Sequence, residues 1–306
     1  MRGRGAGVGV WLMVTVGVFG ASLSAPIAAA TAAPAIAVGF WRNAFGTAAT
    51  LPYVVAQRRR DTLRGLPRSV WWNSVVAGVL LAVHFGTWLT ALRMTSVAAA
   101  TALVCTTPIW VVAWELLRGV RVPRAVLGGT VLAILGGVAV TGVDAASSTR
   151  ALVGDGLAVL GAISAAGYIA AGESARRHAT NGEYTLLAYG TCSLALVPVA
   201  LVTGSELAGY ETRTWVELVV LTVSAQLLGH TLLNAALPRV GGTAVALALL
   251  FEVPGATLVA WVWPGQTPSG WVIPGTALML AGLAMVVRAG GAPAGAPSAA
   301  GVVEVT

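Results

Sequence analysis

The sequence predicts an all-α membrane protein of ten transmembrane helices, arranged as two inverted five-helix repeats with both termini in the cytoplasm. Three observations predict this: charge is scarce, arginine is placed one-sidedly, and the two halves resemble each other.

The first observation is compositional. Of 306 residues, 57% are apolar and 9% charged, and the mean hydropathy is +0.83. A soluble domain is usually about 25% charged, so lipid is the natural solvent for this chain. The net charge is +7 and every basic residue is an arginine. A basic chain suits nucleic acid or a membrane surface. Here the arginines sit in short clusters between apolar runs, so the bilayer is the expected partner and nucleic acid is not. Cys105 and Cys192 both lie inside apolar runs and read as core residues rather than a disulfide framework.

A helix crossing a bilayer needs ~20 mostly apolar residues. Such runs fall near 8–30, 34–56, 70–91, 94–117, 125–143, 153–174, 184–203, 215–236, 241–263 and 270–288. The tightest divisions are at Arg93 and around Pro238 to Gly242, where one long apolar stretch must be cut in two. The connecting segments are short and leave no room for a soluble catalytic domain. No phosphate-binding GxxxxGK[ST] motif is present, and no cofactor is expected. The Gly/Ala/Pro-rich segment 289–306 is expected to be a disordered tail. Arg2 and Arg4 ahead of the first apolar run allow a signal-peptide reading. That run is long for a signal h-region, however, and its counterpart in the second half is an internal span.

The second observation is the placement of arginine. With the N-terminus inside, one face receives Arg2, Arg4, Arg58, Arg59, Arg60, Arg64, Arg68, Arg118, Arg121, Arg124, Arg176, Arg177, Arg239 and Arg288. The other receives only Arg42, Arg93, Arg150 and Arg213. The positive-inside rule then places both termini in the cytoplasm, and the inner cell membrane is the expected location. On this topology Trp215, Trp261, Trp263 and Trp271 fall at the outer interface, and Trp71 and Trp72 at the inner one.

The third observation is an internal repeat. At a constant offset of 146 (230 − 84), His84 falls on His230, Arg93 on Arg239, Pro108 on Pro254, Gly129 and Thr130 on Gly275 and Thr276, and Gly136 on Gly282. The first repeat is 1–143 and the second 153–288. Five spans is an odd number, so the second copy must enter the membrane inverted. Inverted repeats build many secondary transporters around a site near the midplane.

The chain also resembles the EamA-type ten-helix members of the drug/metabolite transporter superfamily. The resemblance rests on Phe40-Trp41-Arg42, on the run from Ala91 to Thr101 leading to Pro108, on the Ala/Leu run leading to Glu252 and Pro254, and on glycine-rich fifth and tenth spans. It covers about 8–288 and implies export of metabolites, amino acids or drugs. The Gly-Glu pair that often ends the family's fourth and ninth spans reads Gly119-Val120 and Gly265-Gln266 here, so no role of that glutamate carries over.

Ionisable groups at membrane depth are costly unless they face a cavity or a partner. In the eighth span Thr222, Gln226, His230 and Asn234 recur every four residues, which places them on one face of an α-helix. That stripe reads as a cavity wall, with a polar seam between helices as the alternative. His84 and Trp88 share a face of the third span, and no Cys, Asp or other His lies at metal-ligand spacing from them. Glu252 stands two residues before Pro254, near the middle of the ninth span, and is the expected proton carrier if transport is proton-coupled. Its alternative is a structural carboxyl. Pro108 and Pro254 are the expected helix-break or gating positions, since proline removes a helix hydrogen bond. Arg42 is expected to meet a carboxylate, helix-end carbonyls or an anionic substrate group, with snorkelling to the outer interface as the alternative. Tyr168, Tyr189, Trp41, Ser22 and Ser164 are further cavity candidates. Glu115 and Glu173 lie near inner helix ends and are expected to be solvated or paired with Arg118 and Arg176.

These readings converge on a secondary transporter, most simply an exporter, of small organic metabolites by alternating access. Uptake or exchange is the rival within that class. A membrane-embedded enzyme would need converging nucleophile and base residues, which three histidines and few intramembrane acids do not supply. A non-transporting scaffold would need neither the polar stripe nor the repeat. The sequence does not fix an oligomeric state.

Overall fold

The computed structural model describes residues 3–56, 65–95, 97–141, 148–262 and 271–289, and helix accounts for nearly all of them, with no strand among the described residues. Lipid forces this outcome, because each backbone N–H and C=O must be satisfied within its own segment. The helices are α1 (Gly3–Ser22), α2 (Ser24–Ala30), α3 (Ala35–Ala56), α4 (Arg68–Ala91), α5 (Val97–Val104), α6 (Thr107–Leu117), α7 (Arg124–Thr141), α8 (Thr149–Arg176) and α9 (Asn181–Thr203). Then follow α10 (Thr212–Leu221), a π-helical segment (Thr222–Thr231), α11 (Leu232–Val240), α12 (Gly242–Leu249), α13 (Glu252–Val262) and α14 (Val272–Arg288). Five helical stretches are long and apolar enough to cross a membrane: Gly9–Ala30, Arg68–Ala91, Thr149–Arg176, Asn181–Thr203 and Thr212–Val240. Shorter apolar helices accompany them, and α3 is as long but carries Arg42 and Asn43. The segments 57–64 and 290–306, which hold the arginine cluster and most of the expected tail, lie outside the described residues, as do Trp263, Gly265 and Gln266.

Local chemistry ends each element. Between α4 and α5 the chain turns at Leu92–Thr95, and Arg93 uses this turn to cap a neighbour. Its Nη2 donates to the carbonyls of Ala28 (3.2 Å), Thr31 (2.8 Å) and Ala33 (3.1 Å), groups left unbonded where α2 ends. The second tight division falls at Gly241, whose φ of 80° needs a glycine, while Pro238 remains inside α11. Proline cannot donate to the carbonyl four residues back. Arg176 Nε takes up that carbonyl, donating to Asn234 O at 3.2 Å. Arg176 therefore does not pair with Glu173, as the sequence suggested. Glu173 meets Arg177 instead, at 3.5 Å. A capping box between Thr180 and Glu183 starts α9, and Gly204 in the left-handed region ends it.

Packing repeats under exchange of the halves. The most extensive partners are α4 with α8, α7 with α14, α3 with α9, α4 with α9, and α1 with the π segment and α11. Shifting α4 and α8 by the offset of 146 gives the π segment with α11, and α1, while the α3–α9 and α7–α14 pairs map onto themselves. The break between α5 and α6 corresponds to that between α12 and α13, with Pro108 and Pro254 in the first turns that follow.

The α7–α14 contact is made through glycine. A Cβ on Gly129 would stand 2.6 Å from the Gly282 carbonyl, one on Gly136 would stand 2.5 Å from that of Gly275, and one on Gly282 would collide with that of Gly129. Rising numbers on one helix meet falling numbers on the other, so the two run antiparallel. Small residues let membrane helices approach this closely. Large apolar side chains face outward elsewhere, among them Leu117, Val202 and Ile273, as a lipid-facing surface requires. Trp72, Trp261 and Trp271 are exposed with them, but Trp215 turns inward onto Trp41, 4.9 Å between ring centroids.

Gly282→Leu should overpack this seam and lower stability by roughly 1–3 kcal/mol or more. Gly156→Leu, where no atom lies within 4 Å of the added Cβ, should change nothing. Thermal unfolding of the two purified variants in one detergent checks the contrast.

Candidate functional site

The site begins with a buried charge. Arg42 is wholly inaccessible to solvent, so the snorkelling alternative does not hold. It also meets no carboxylate within salt-bridge distance among the described residues. Its Nε donates to Gln226 Oε1 at 2.9 Å and its Nη1 to Ser24 Oγ at 2.9 Å, while the guanidinium carbon lies 4.1 Å from the Phe85 ring centroid. Cation–π attraction is strongest where water is excluded. Nη2 has no hydrogen-bond partner. Gln226 Nε2 continues the chain by donating to Asn43 Oδ1 at 2.9 Å, and Asn43 Nδ2 donates to Gly39 O.

The expected α-helical stripe is corrected here. Thr222–Thr231 is π-helical, with bonds from residue i to i−5 in place of i−4, a geometry rare in proteins and frequent at functional sites. The Thr231 hydroxyl itself donates to the Gln226 carbonyl, five residues back, at 3.0 Å. Close packing accompanies this winding, since a Cβ on Gly20 of α1 would stand 2.5 Å from the Ser224 carbonyl. The four polar residues keep their four-residue spacing and point into the protein, but they meet different partners. Thr222 bonds within its own helix, to Leu218 O. Gln226 serves Arg42 and Asn43. His230 lies edge-on to Phe85 at 5.7 Å and near Tyr168 at 6.4 Å. Asn234 Nδ2 donates to the hydroxyls of Tyr168 (2.6 Å) and Tyr189 (3.4 Å), and Tyr189 reaches Thr231 Oγ1 at 3.0 Å.

A cavity of about 60 Å³ lies against this second network. His84, Trp88, Tyr168, His230, Asn234, Glu252 and Pro108 all line it, together with Ser24, Cys105 and Thr107. Arg42 and Gln226 are not among its lining residues, and neither is Pro254. His84 Nδ1 donates to Gly161 O at 3.0 Å, and its ring stacks on Trp88 at 5.8 Å. Trp88 Nε1 is buried without a partner. Phe85 stands within 4.8 Å of His84 and 5.7 Å of His230, contacting both of the repeat-related histidines. Glu252 opens α13, where a helix N-terminus favours a negative group. It makes no hydrogen bond or salt bridge with Arg42. At roughly 15 Å³ per water the cavity has room for about four waters, so a solute the size of an amino acid requires its walls to part.

Among the other candidates, Ser22 and Ser164 bond carbonyls of their own helices, and Trp41 Nε1 donates to Leu207 O within an outer aromatic cluster. Sequence reasoning missed Ser24, Asn43, Phe85 and Thr231. Asn43 had a signal, standing beside Arg42 in an apolar run. Phe85 had none, because an aromatic next to a histidine in a membrane helix is ordinary.

With this geometry in hand, the comparisons can be read. The profile of the EamA-like transporter family matches residues 7–142 and again 152–288. The chain belongs to the EamA-like transporter family. It is therefore a membrane protein of a transporter family. No curated protein sequence matches it. A crystal structure described only as that of a protein is similar in fold, with a TM-score of 0.75 at 17% sequence identity, covering 92% of this chain and 98% of its own.

Gln226→Leu should strip partners from both Arg42 and Asn43 and destabilise the fold by about 1–3 kcal/mol per orphaned buried group. His230→Leu removes only ring contacts and should leave stability nearly unchanged. Unfolding midpoints of the two variants, measured side by side, check the difference.

Proposed function

We propose that the chain is a secondary transporter of small organic solutes, such as amino acids, drugs or other metabolites, working as an exporter in the inner cell membrane. The observation that carries this reading is the position of the cavity. It lies where two helices at repeat-related positions, α5–α6 and α12–α13, are both broken, and Cys105, Thr107, Pro108, Leu250 and Glu252 at those breaks line it. Discontinuous helices at the junction of two repeats are how secondary transporters hold a solute at the midplane.

Ten spans, with the second five inverted and both termini inside, account for the rest. The arginine asymmetry supports that topology, as does packing that survives exchange of the halves and the antiparallel crossing of α7 and α14. The small cavity is the occluded form, and alternating access opens it to one side at a time. His84, Trp88, Tyr168, His230 and Asn234 supply aromatic faces and hydrogen bonds to the solute. Arg42 and Gln226 hold the wall behind them.

The reading is tested by flux. Reconstituted protein should move some member of a panel of labelled amino acids, amines and drugs down its gradient, and no flux of any member above that of empty liposomes counts against it. Topology has its own measurement: introduced cysteines near Thr212 should label from outside the cell, and those near Arg60 should not.

Coupling follows from Glu252. Its counterpart Thr106 cannot titrate, so proton exchange built on this carboxyl is confined to one repeat. Glu252→Gln should keep downhill transport while losing the response to an imposed pH gradient. A gradient response that persists in the variant would exclude Glu252 as the carrier.

A further inference from the structure

Beside the central cavity lies a second hollow of about 200 Å³, lined by Trp114, Glu115 and Arg118 from the end of α6, by Glu173 and Arg177 from the end of α8, and by Gly242 at the start of α12. Of all the residues lining the two hollows, only Ile169 belongs to both. Its surroundings follow from helical spacing. Ala165, Ile169, Glu173 and Arg177 are four apart and share one face of α8. Ala165 faces the cavity, while Glu173 and Arg177 face the outer hollow. That face changes from apolar to charged immediately after Ile169.

What Ile169 presses against is backbone. A Cβ on Gly242 would lie 2.9 Å from Ile169 Cγ2 and 3.9 Å from Val111 Cγ1, so only a residue without a side chain lets α12 come this close. Gly241, at φ 80° and ψ 161°, turns the chain into that approach. Ile169 is 3% exposed, and Val111 beside it 4%. Ile169 is thus the wall the two hollows share, and at Gly242 it stands beside the Glu173 carboxylate, whose Oε2 would lie 3.1 Å from the same Cβ.

We propose that Ile169, seated on Gly242, is the gate between the central cavity and the face that bears Arg118 and Arg177. Solute passes when α8 and the start of α12 part at this contact. The proposal rests on the transport reading above and adds the residue that closes one of its two exits. Under the repeat offset Ile169 corresponds to Leu23, at the division between α1 and α2 beside cavity-lining Ser24, which places Leu23 on the route to the opposite face.

Cys105 lines the cavity and is a built-in reporter, and Cys192 is buried and replaceable by alanine. The measurement is the rate at which Cys105 reacts with methanethiosulfonate ethyltrimethylammonium, a small membrane-impermeant reagent, in Cys192→Ala vesicles oriented so that only the Arg118/Arg177 face meets it. Ile169→Val should raise the rate about fourfold and Ile169→Ala on the order of fiftyfold, as one and then three carbons leave the seal. Leu23→Ala should leave the rate from this face unchanged. Ile169→Val removes one methyl and keeps the test available should the alanine variant not fold. An unchanged rate in folded Ile169 variants overturns the gate, and so does an equal rise in Leu23→Ala, which would mean general loosening. The assay needs no transported solute. Accelerated labelling in a protein that moves nothing refutes transport alone, whereas flux with a Cys105 rate indifferent to Ile169 refutes the gate alone.

Discussion

A guanidinium cannot shed its charge, and Arg42 carries one into a region with no water to receive it. Much of the central architecture answers that constraint. The charge is held by neutral groups: an amide oxygen from the π segment, a hydroxyl from α2 and the face of an aromatic ring from α4. One side chain of α3 thereby fixes three other elements around itself. Gln226 can reach both Arg42 and Asn43 only where the π segment places it, and that winding coincides with the close approach of α1 at Gly20. Polar satisfaction and glycine packing are here parts of one arrangement.

Much of the fold was legible in the sequence, and for physical reasons. Apolar run length is set by the bilayer, so the helices fall on the expected apolar runs, with ends that differ by a few residues. Arg93 was correctly read as a boundary, although its role in capping α2 depends on a contact across more than 60 residues that no local pattern encodes. The π segment was not legible, because its composition is that of any polar-striped helix and its winding is tied to a neighbour. The spacing marked the four residues as inward-facing, but which partner each one meets depends on neighbouring helices. The edge-on contact of Trp215 with Trp41 was not legible, because it depends on where α3 stands. Phe85 and Ile169 are apolar residues among apolar residues, and only geometry distinguishes them.

The scaffold and the chemistry obey different symmetries. Helix pairings, helix breaks and glycine contacts repeat between the halves, yet the polar groups mostly do not. The counterparts of Arg42, Asn43, Tyr168 and Glu252 are Ala188, Tyr189, Ser22 and Thr106, and among the polar residues lining the cavity only His84 and His230 match. Two polar networks result. One is centred on Arg42 and Gln226. The other is centred on Asn234 and the tyrosines and borders the cavity. If the chain transports as proposed, a symmetric frame would permit two related conformations, while the asymmetric lining would hold a solute differently in each.

The glycine crossing of α7 and α14 has a mechanical consequence. Where backbones touch without intervening side chains, there is no soft layer to shear, and the only inexpensive motion left is rotation about the point of contact. Because that pair maps onto itself when the halves are exchanged, it can stay still while everything on either side trades roles. In the rocking motion proposed above, the crossing would serve as the fulcrum, and the distance between these two helices would stay constant.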